Sequence, residues 1–200
     1  MRVRVVALLA LSSLLGVLAS PALAQTRPAI RLAPDGTHVL ALPRAMMRAL
    51  RGYDAHMVPW REQEYLPAVR TRYHFSTRQA PFAVIGDMNA DGRLDVVLDG
   101  HNRQRNLSLC LLSRRRGYRV LLLSSSSLTD PKTEGYSMGD HTEYGLWDYL
   151  TLCRPGVYQS PHEAHRLTLT ADAFQRNAYG KASTLYYYRR GRFHAYTTSD

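Results

Sequence analysis

Lysine is scarce in this chain: Lys132 and Lys181 are the only two, so nearly all of the positive charge is arginine. Arginine bias of this kind fits a GC-rich coding sequence at least as well as it fits phosphate recognition, and it identifies no ligand by itself. Cysteine is equally scarce, with Cys110 and Cys153 alone. Two cysteines exclude a disulfide-dense scaffold, and with no C-x-x-C pair there is no thioredoxin-like or haem-attachment motif. No glycine-rich phosphate loop and no internal repeat is present. After the first residues no run is apolar enough to cross a bilayer.

What is there begins with an export signal. Arg2 and Arg4 form a basic start, Val5 to Leu18 is apolar, and Ala22-Leu23-Ala24 supplies small residues before Gln25. This is the pattern of a cleaved signal peptide over 1–24. The apolar run is shorter than the roughly 20 residues of a membrane span, which argues against an uncleaved anchor. The protein is therefore expected to be exported, periplasmic or secreted, with no transmembrane segment after cleavage. Residues 25–200 are the size of one domain, long enough to bury about 70% of the unfolded surface without a metal or disulfide. The precursor carries 26 basic and 16 acidic residues, a net charge of +10, and loss of Arg2 and Arg4 lowers that by two. A basic exported protein is drawn to anionic surfaces, so the expected partner is an anionic envelope component or another exported protein. Cys110 and Cys153 each sit at opposite parity to flanking leucines in strand-like alternations. They stand either as a disulfide, which an oxidising compartment permits, or as two half-buried thiols.

The patterning predicts an α+β fold, mainly antiparallel β, with one short N-terminal helix packed on a β-meander. Leu42, Met46, Leu50 and Tyr53 recur at helical spacing between Pro43 and Gly52, which predicts a helix over 43–53. Residues 58–80 read as irregular, with one strand near 70–76. Strands are expected at 82–85, 94–98, 105–112, 117–123, 149–153, 165–170, 183–189 and 192–197, the last two joined at Arg190-Gly191. Residues 124–146 read as one long polar loop.

The sharpest motif is Asp87-Met88-Asn89-Ala90-Asp91-Gly92-Arg93-Leu94-Asp95. Oxygen-bearing side chains fall at loop positions 1, 3, 5 and 9, glycine at 6 allows a sharp turn, and the Arg93 carbonyl is at 7. A hard cation such as calcium takes six to eight oxygens, so Asp87, Asn89, Asp91, Arg93 and Asp95 are the expected ligands of one structural calcium ion. Position 12 is Leu98, where an EF-hand needs a bidentate acid, and strand-like runs flank the loop in place of helices. The stretch Ala83 to Val97 resembles the calcium loop of the FG-GAP/VCBS repeat family, in which D-x-N-x-D-G-x-x-D lies between two strands of a β-propeller blade. The resemblance covers one loop, whereas a propeller needs roughly four or more blades of about four strands. It implies the ion site on the five residues named and not a full propeller. The mature chain also resembles small exported bacterial proteins with one such loop and a closing Tyr-Tyr-Tyr…Gly-Arg-Phe hairpin.

Catalytic patterns are weaker. Gly135-Tyr136-Ser137-Met138-Gly139 matches G-x-S-x-G, so the alternative function is a small serine esterase on Ser137, with Asp148 or Asp172 as acid and His162, His165 or His194 as base. The residues before it are polar and broken by Pro131, so no strand feeds an elbow. His162-Glu163-Ala164-His165 lacks the H-E-x-x-H zinc spacing. Arg114-Arg115-Arg116 and Arg189-Arg190 alternate with tyrosines, but export makes nucleic acid an unsuited partner. Binding, and no catalysis, is the expected role.

Overall fold

The structure, a computed structural model, describes residues 26–161 and 165–199. The expected leader and His162-Glu163-Ala164 lie outside the described residues. In chain order the elements are β1 (Ala29–Leu32), β2 (His38–Ala41), α1 (Arg44–Tyr53), β3 (Val58–Pro59), α2 (Pro67–Arg72), β4 (Gln79–Ala80), β5 (Ala83–Gly86), β6 (Asp95–His101), β7 (Arg105–Ser113) and β8 (Tyr118–Ser127). There follow β9 (Gly135–Ser137), β10 (Thr142–Tyr144), β11 (Asp148–Cys153), β12 (Gly156–Tyr158), β13 (Leu167–Leu169), β14 (Ala173–Ala178), β15 (Ser183–Arg189) and β16 (Arg192–Ser199). The fold is β-rich and its sheets are antiparallel, with no closed barrel among the described residues.

Two sheets carry it. The first runs β4-β5-β6-β7-β8 in chain order, with β3 added beside the far half of β6. The second runs β11-β14-β15-β16. The central strands of the first sheet read as near-continuous apolar runs because both of their faces are covered. Alternate residues Ile85, Val96, Leu98, Leu109 and Leu111 face a layer that includes Met46 and Leu50 of α1 and Val69 of α2. Their neighbours Val84, Val97, Cys110 and Leu112 face Leu150 and Phe174 of the second sheet. The outcome is a helical layer, a six-stranded sheet and a four-stranded sheet. The two sheets are also fastened at an edge, where the Leu150 N–H donates to the Pro81 carbonyl at 2.9 Å.

Several segments differ from their sequence patterns. Residues 67–72 form a second helix where a strand near 70–76 was expected, started by Pro67, whose fixed φ suits the first helical turn. Ser124–Ser127 continue β8 and do not open a loop; they pair with Arg105–Ser108 across a bulge at Ser108/Leu109. The polar stretch after them contains the β9–β10 hairpin. The sequence Ala173-Phe174-Gln175-Arg176-Asn177-Ala178 has no β-branched residue, yet it is β14, an interior strand of the second sheet. Its place is set by Phe174 stacking on Tyr186 at 5.1 Å between ring centres. At the β15–β16 turn Arg190 and Gly191 both have positive φ (52° and 86°), the conformation of a tight two-residue hairpin.

Candidate functional site

The acidic loop connects β5 to β6 and is shaped by its own carboxylates. Asp87 accepts backbone N–H bonds from Asp91 (3.1 Å) and Gly92 (2.8 Å), so the chain curls around its side chain. Asn89 Oδ1 accepts from the Asp91 N–H at 3.2 Å, and Asp91 accepts from the Arg93 N–H at 3.0 Å. Ala90 and Gly92 take left-handed conformations (φ 58° and 79°), which allow the reversal. Asp95 is the exception to this exposed group. It is fully buried and accepts from the Met88 N–H (2.8 Å) and the Ser113 N–H (2.6 Å), clamping the loop to the end of β7.

These donors suit a hard cation by type: two exposed or half-exposed carboxylates, an amide oxygen and a backbone carbonyl, with a third carboxylate behind them. The two Asp87 oxygens each accept one loop N–H and keep a second lone pair, whereas Asp91 Oδ1 also faces the Ser113 hydroxyl at 2.9 Å. Among the described residues no three acidic, histidine or cysteine side chains stand as a preformed cage. Asp87, Asn89 and Asp91 are the residues that would hold an ion at the turn, and Asp95 is the one most committed to the protein's own amides. The Ser113 hydroxyl donates to Asp91 at 2.8 Å, placing a further oxygen beside the loop that the spacing of acids did not mark.

The loop also joins the two sheets. The Asp87 N–H donates to the Asp172 carboxylate at 3.0 Å, and the Asp172 N–H donates back to the Asp87 carbonyl at 3.1 Å. Asp172 stands just before β14 and has Arg154 at 3.5 Å and Arg78 at 3.9 Å. On the other flank the Arg93 guanidinium donates to the Arg114 carbonyl. The exposed turn Arg114-Arg115-Arg116 therefore lies beside the acidic loop.

The other motifs fall apart in space. Ser137 is exposed in the β9–β10 hairpin, opposite Thr142, and no strand-to-helix turn presents it. His141, in the hairpin turn, faces Asp140 at 2.6 Å and Glu143 at 3.7 Å. Asp172 belongs to the loop junction described above, and His194 lies against Tyr187 on the second sheet. Cys110 and Cys153 are both free and buried, in different apolar clusters. Burial raises both thiols, Cys153 to about 11, so neither is a thiolate at neutral pH.

A second feature, not visible in any motif, is a cleft of about 190 Å³ at the opposite end of β6. Across the first sheet, Asp99, Ser108 and Ser124 are register partners, beyond the apolar row Val97-Cys110-Leu121 by two residues on β6 and β7 and by three on β8, where the bulge intervenes. Here the face turned to the second sheet changes from apolar to polar. Arg176 of β14 closes the gap, donating to Asp99 at 2.9 Å and to the Ser124 hydroxyl at 3.2 Å. Burial is the largest influence on Asp99 and raises its carboxyl; Arg176 and Ser108 oppose it. The shift signals a desolvated ion pair between the sheets. The serines at 124–127 read as part of a polar loop, and Arg176 belongs to no motif, because only the strand register brings them together.

Asp95 and Asp99 set a pH dependence. Burial raises both carboxyls above the ordinary value of 3.8. The folded state therefore holds their protons more tightly than the unfolded state does. Their destabilising effect is absent below the unfolded value and grows as pH rises through the folded one. Urea unfolding in chelator from about pH 4 to about pH 7 should show this negative contribution. Asp95→Asn should remove part of the slope as well as lower stability.

No protein-family model, no curated protein and no solved structure matches the chain.

Proposed function

We propose that the chain is an exported binding protein in which Asp87, Asn89, Asp91 and the Arg93 carbonyl, with Asp95 behind them, hold one structural calcium ion, and that its partner is an anionic envelope component. The observation that carries this reading is the position of the loop. Its backbone is exchanged with Asp172 of the second sheet, and its Arg93 is fastened to the exposed arginine turn. An ion that rigidified Asp87–Asp95 would fix the junction of the two sheets and the placing of Arg114, Arg115 and Arg116 together. Calcium supplies charge and coordination only, so no reaction step is implied.

The arginines would meet phosphate or carboxylate groups on the partner, a contact that salt screens. Co-sedimentation with phosphatidylglycerol vesicles tests it. Binding is expected for the wild type at low salt, stronger with calcium, and reduced several-fold in Arg115→Ser/Arg116→Ser. Equal sedimentation with neutral and anionic vesicles would refute the proposed partner class.

A further inference from the structure

The cleft at the far end of β6 is separate from the acidic loop, and its chemistry is different. Although the protein is strongly basic, the cleft is lined by the carboxyl groups of Asp99, Glu134 and Asp148 against the single guanidinium of Arg176. That balance opposes an anionic ligand. Cation positions are already filled from within: Arg176 on Asp99, and Lys181 with its Nζ 4.6 Å from the centre of the Trp147 ring. Both tryptophans of the chain, Trp60 and Trp147, line the cleft. Trp147 is held rigidly, its indole N–H donating to Glu134 at 3.0 Å.

Opposite these rings stand hydroxyl and amide groups from neighbouring strands. Asn106 donates to Thr129 Oγ1 at 2.8 Å and to Ser126 Oγ at 3.3 Å, which orients both hydroxyls at the cleft wall. The decisive group is Tyr65. Its side chain lines the cleft, the residue is 1% exposed, and among the described residues its hydroxyl has no hydrogen-bond partner. A buried hydroxyl left unpaired costs free energy, and a group entering the cleft can supply the partner that the protein does not.

We propose that this cleft binds one neutral, hydroxyl-rich ring, the chemistry of a single sugar residue. The aromatic walls would cover the ring's apolar face, the Tyr65 hydroxyl would bond to one ring substituent, and the carboxylates and Asn106 would take others. A volume of about 190 Å³ accommodates one such ring. The ring could be a free monosaccharide or one residue of a longer glycan; the shared chemistry is the same.

Because both tryptophans line the cleft, fluorescence excited selectively in tryptophan reports on this site. Glucose, galactose and N-acetylglucosamine, and short oligomers of each, are titrated into the full chain with calcium present. A saturable change with one of these is expected. Response to the monosaccharide assigns a free sugar, and response to the oligomer alone assigns a glycan residue. Tyr65→Phe should weaken binding about five- to tenfold, the loss of one hydrogen bond. Its melting temperature should not fall, because the removed hydroxyl has no partner in the protein. Ser126→Ala, an exposed change, should weaken binding without touching the core. No saturable change with any probe, or binding unaltered by both substitutions, would overturn the proposal.

Discussion

Replacing Arg176 by methionine should lower the free energy of unfolding by about 3–5 kcal/mol at neutral pH. The guanidinium is the closest counter-charge of Asp99, a residue only 7% exposed, at 2.9 Å. Methionine keeps much of the side-chain volume but leaves the carboxylate buried and unpaired. In a protein of this size that loss lowers the melting temperature by about 10 °C or more. The loss has a pH signature. Without Arg176 the carboxyl is raised further, so protonation relieves the penalty, and the difference between variant and wild type should shrink toward about pH 4. The double change Arg176→Met/Asp99→Asn should recover part of the stability, with a coupling of about 1–3 kcal/mol. Urea unfolding of the four proteins supplies the full cycle. Additive losses would mean that the pair carries no coupling across the sheets.

Gly100→Ala should be nearly as damaging, for a reason of space. Gly100 lies in β6 opposite Pro59 of the antiparallel β3, and an added Cβ would stand 2.3 Å from the Val58 carbonyl oxygen and 2.8 Å from the Pro59 Cα. Both are backbone atoms, so no side-chain rotation relieves the clash. Either β3 lifts from the sheet or β6 bends, at a cost of about 3 kcal/mol. Trp60 follows β3 directly and its N–H donates to the Asp99 carbonyl at 3.1 Å. The same substitution should therefore shift the tryptophan emission spectrum toward that of exposed indole even where the protein stays folded. Thermal unfolding followed by emission reads both effects, and an unchanged melting temperature would refute the close approach of β3 to Gly100.

Where hydrophobic period and turn chemistry coincide, the pattern was legible in the sequence. The runs at 83–85 and 95–98, and the tight turn at Arg190-Gly191, are strands and a turn for local reasons. What was illegible depends on distant partners. The helix at 67–72 is only six residues long, and its mixed sequence carries no strong period. β14 holds polar Gln175, Arg176 and Asn177 inside a sheet because each finds a partner there. Gln175 donates to Thr198, Arg176 to Asp99, and Asn177 to Thr151. The acidic loop was legible as a motif, because the spacing of its oxygen-bearing side chains is local. Its attachment to Asp172, 85 residues away, was not. The cleft was invisible for the same reason: its polar wall is a row of register partners from three strands.

The most direct measurement is a calorimetric calcium titration of residues 25–200, with melting temperature followed in parallel and Asp91→Ala as control. Asp91 is exposed, so its loss should leave the core intact. Saturable binding of one ion is expected, weak enough to fall near the roughly 10⁻⁴ to 10⁻³ M range of extracellular sites. A matching rise in melting temperature should accompany it, with both lost in Asp91→Ala. At 100 times the dissociation constant, linkage stabilises the folded state by about 2.7 kcal/mol. No heat and no thermal shift at calcium well above that range would contradict the ion site and leave Asp87–Asp95 as a turn closed by its own amides.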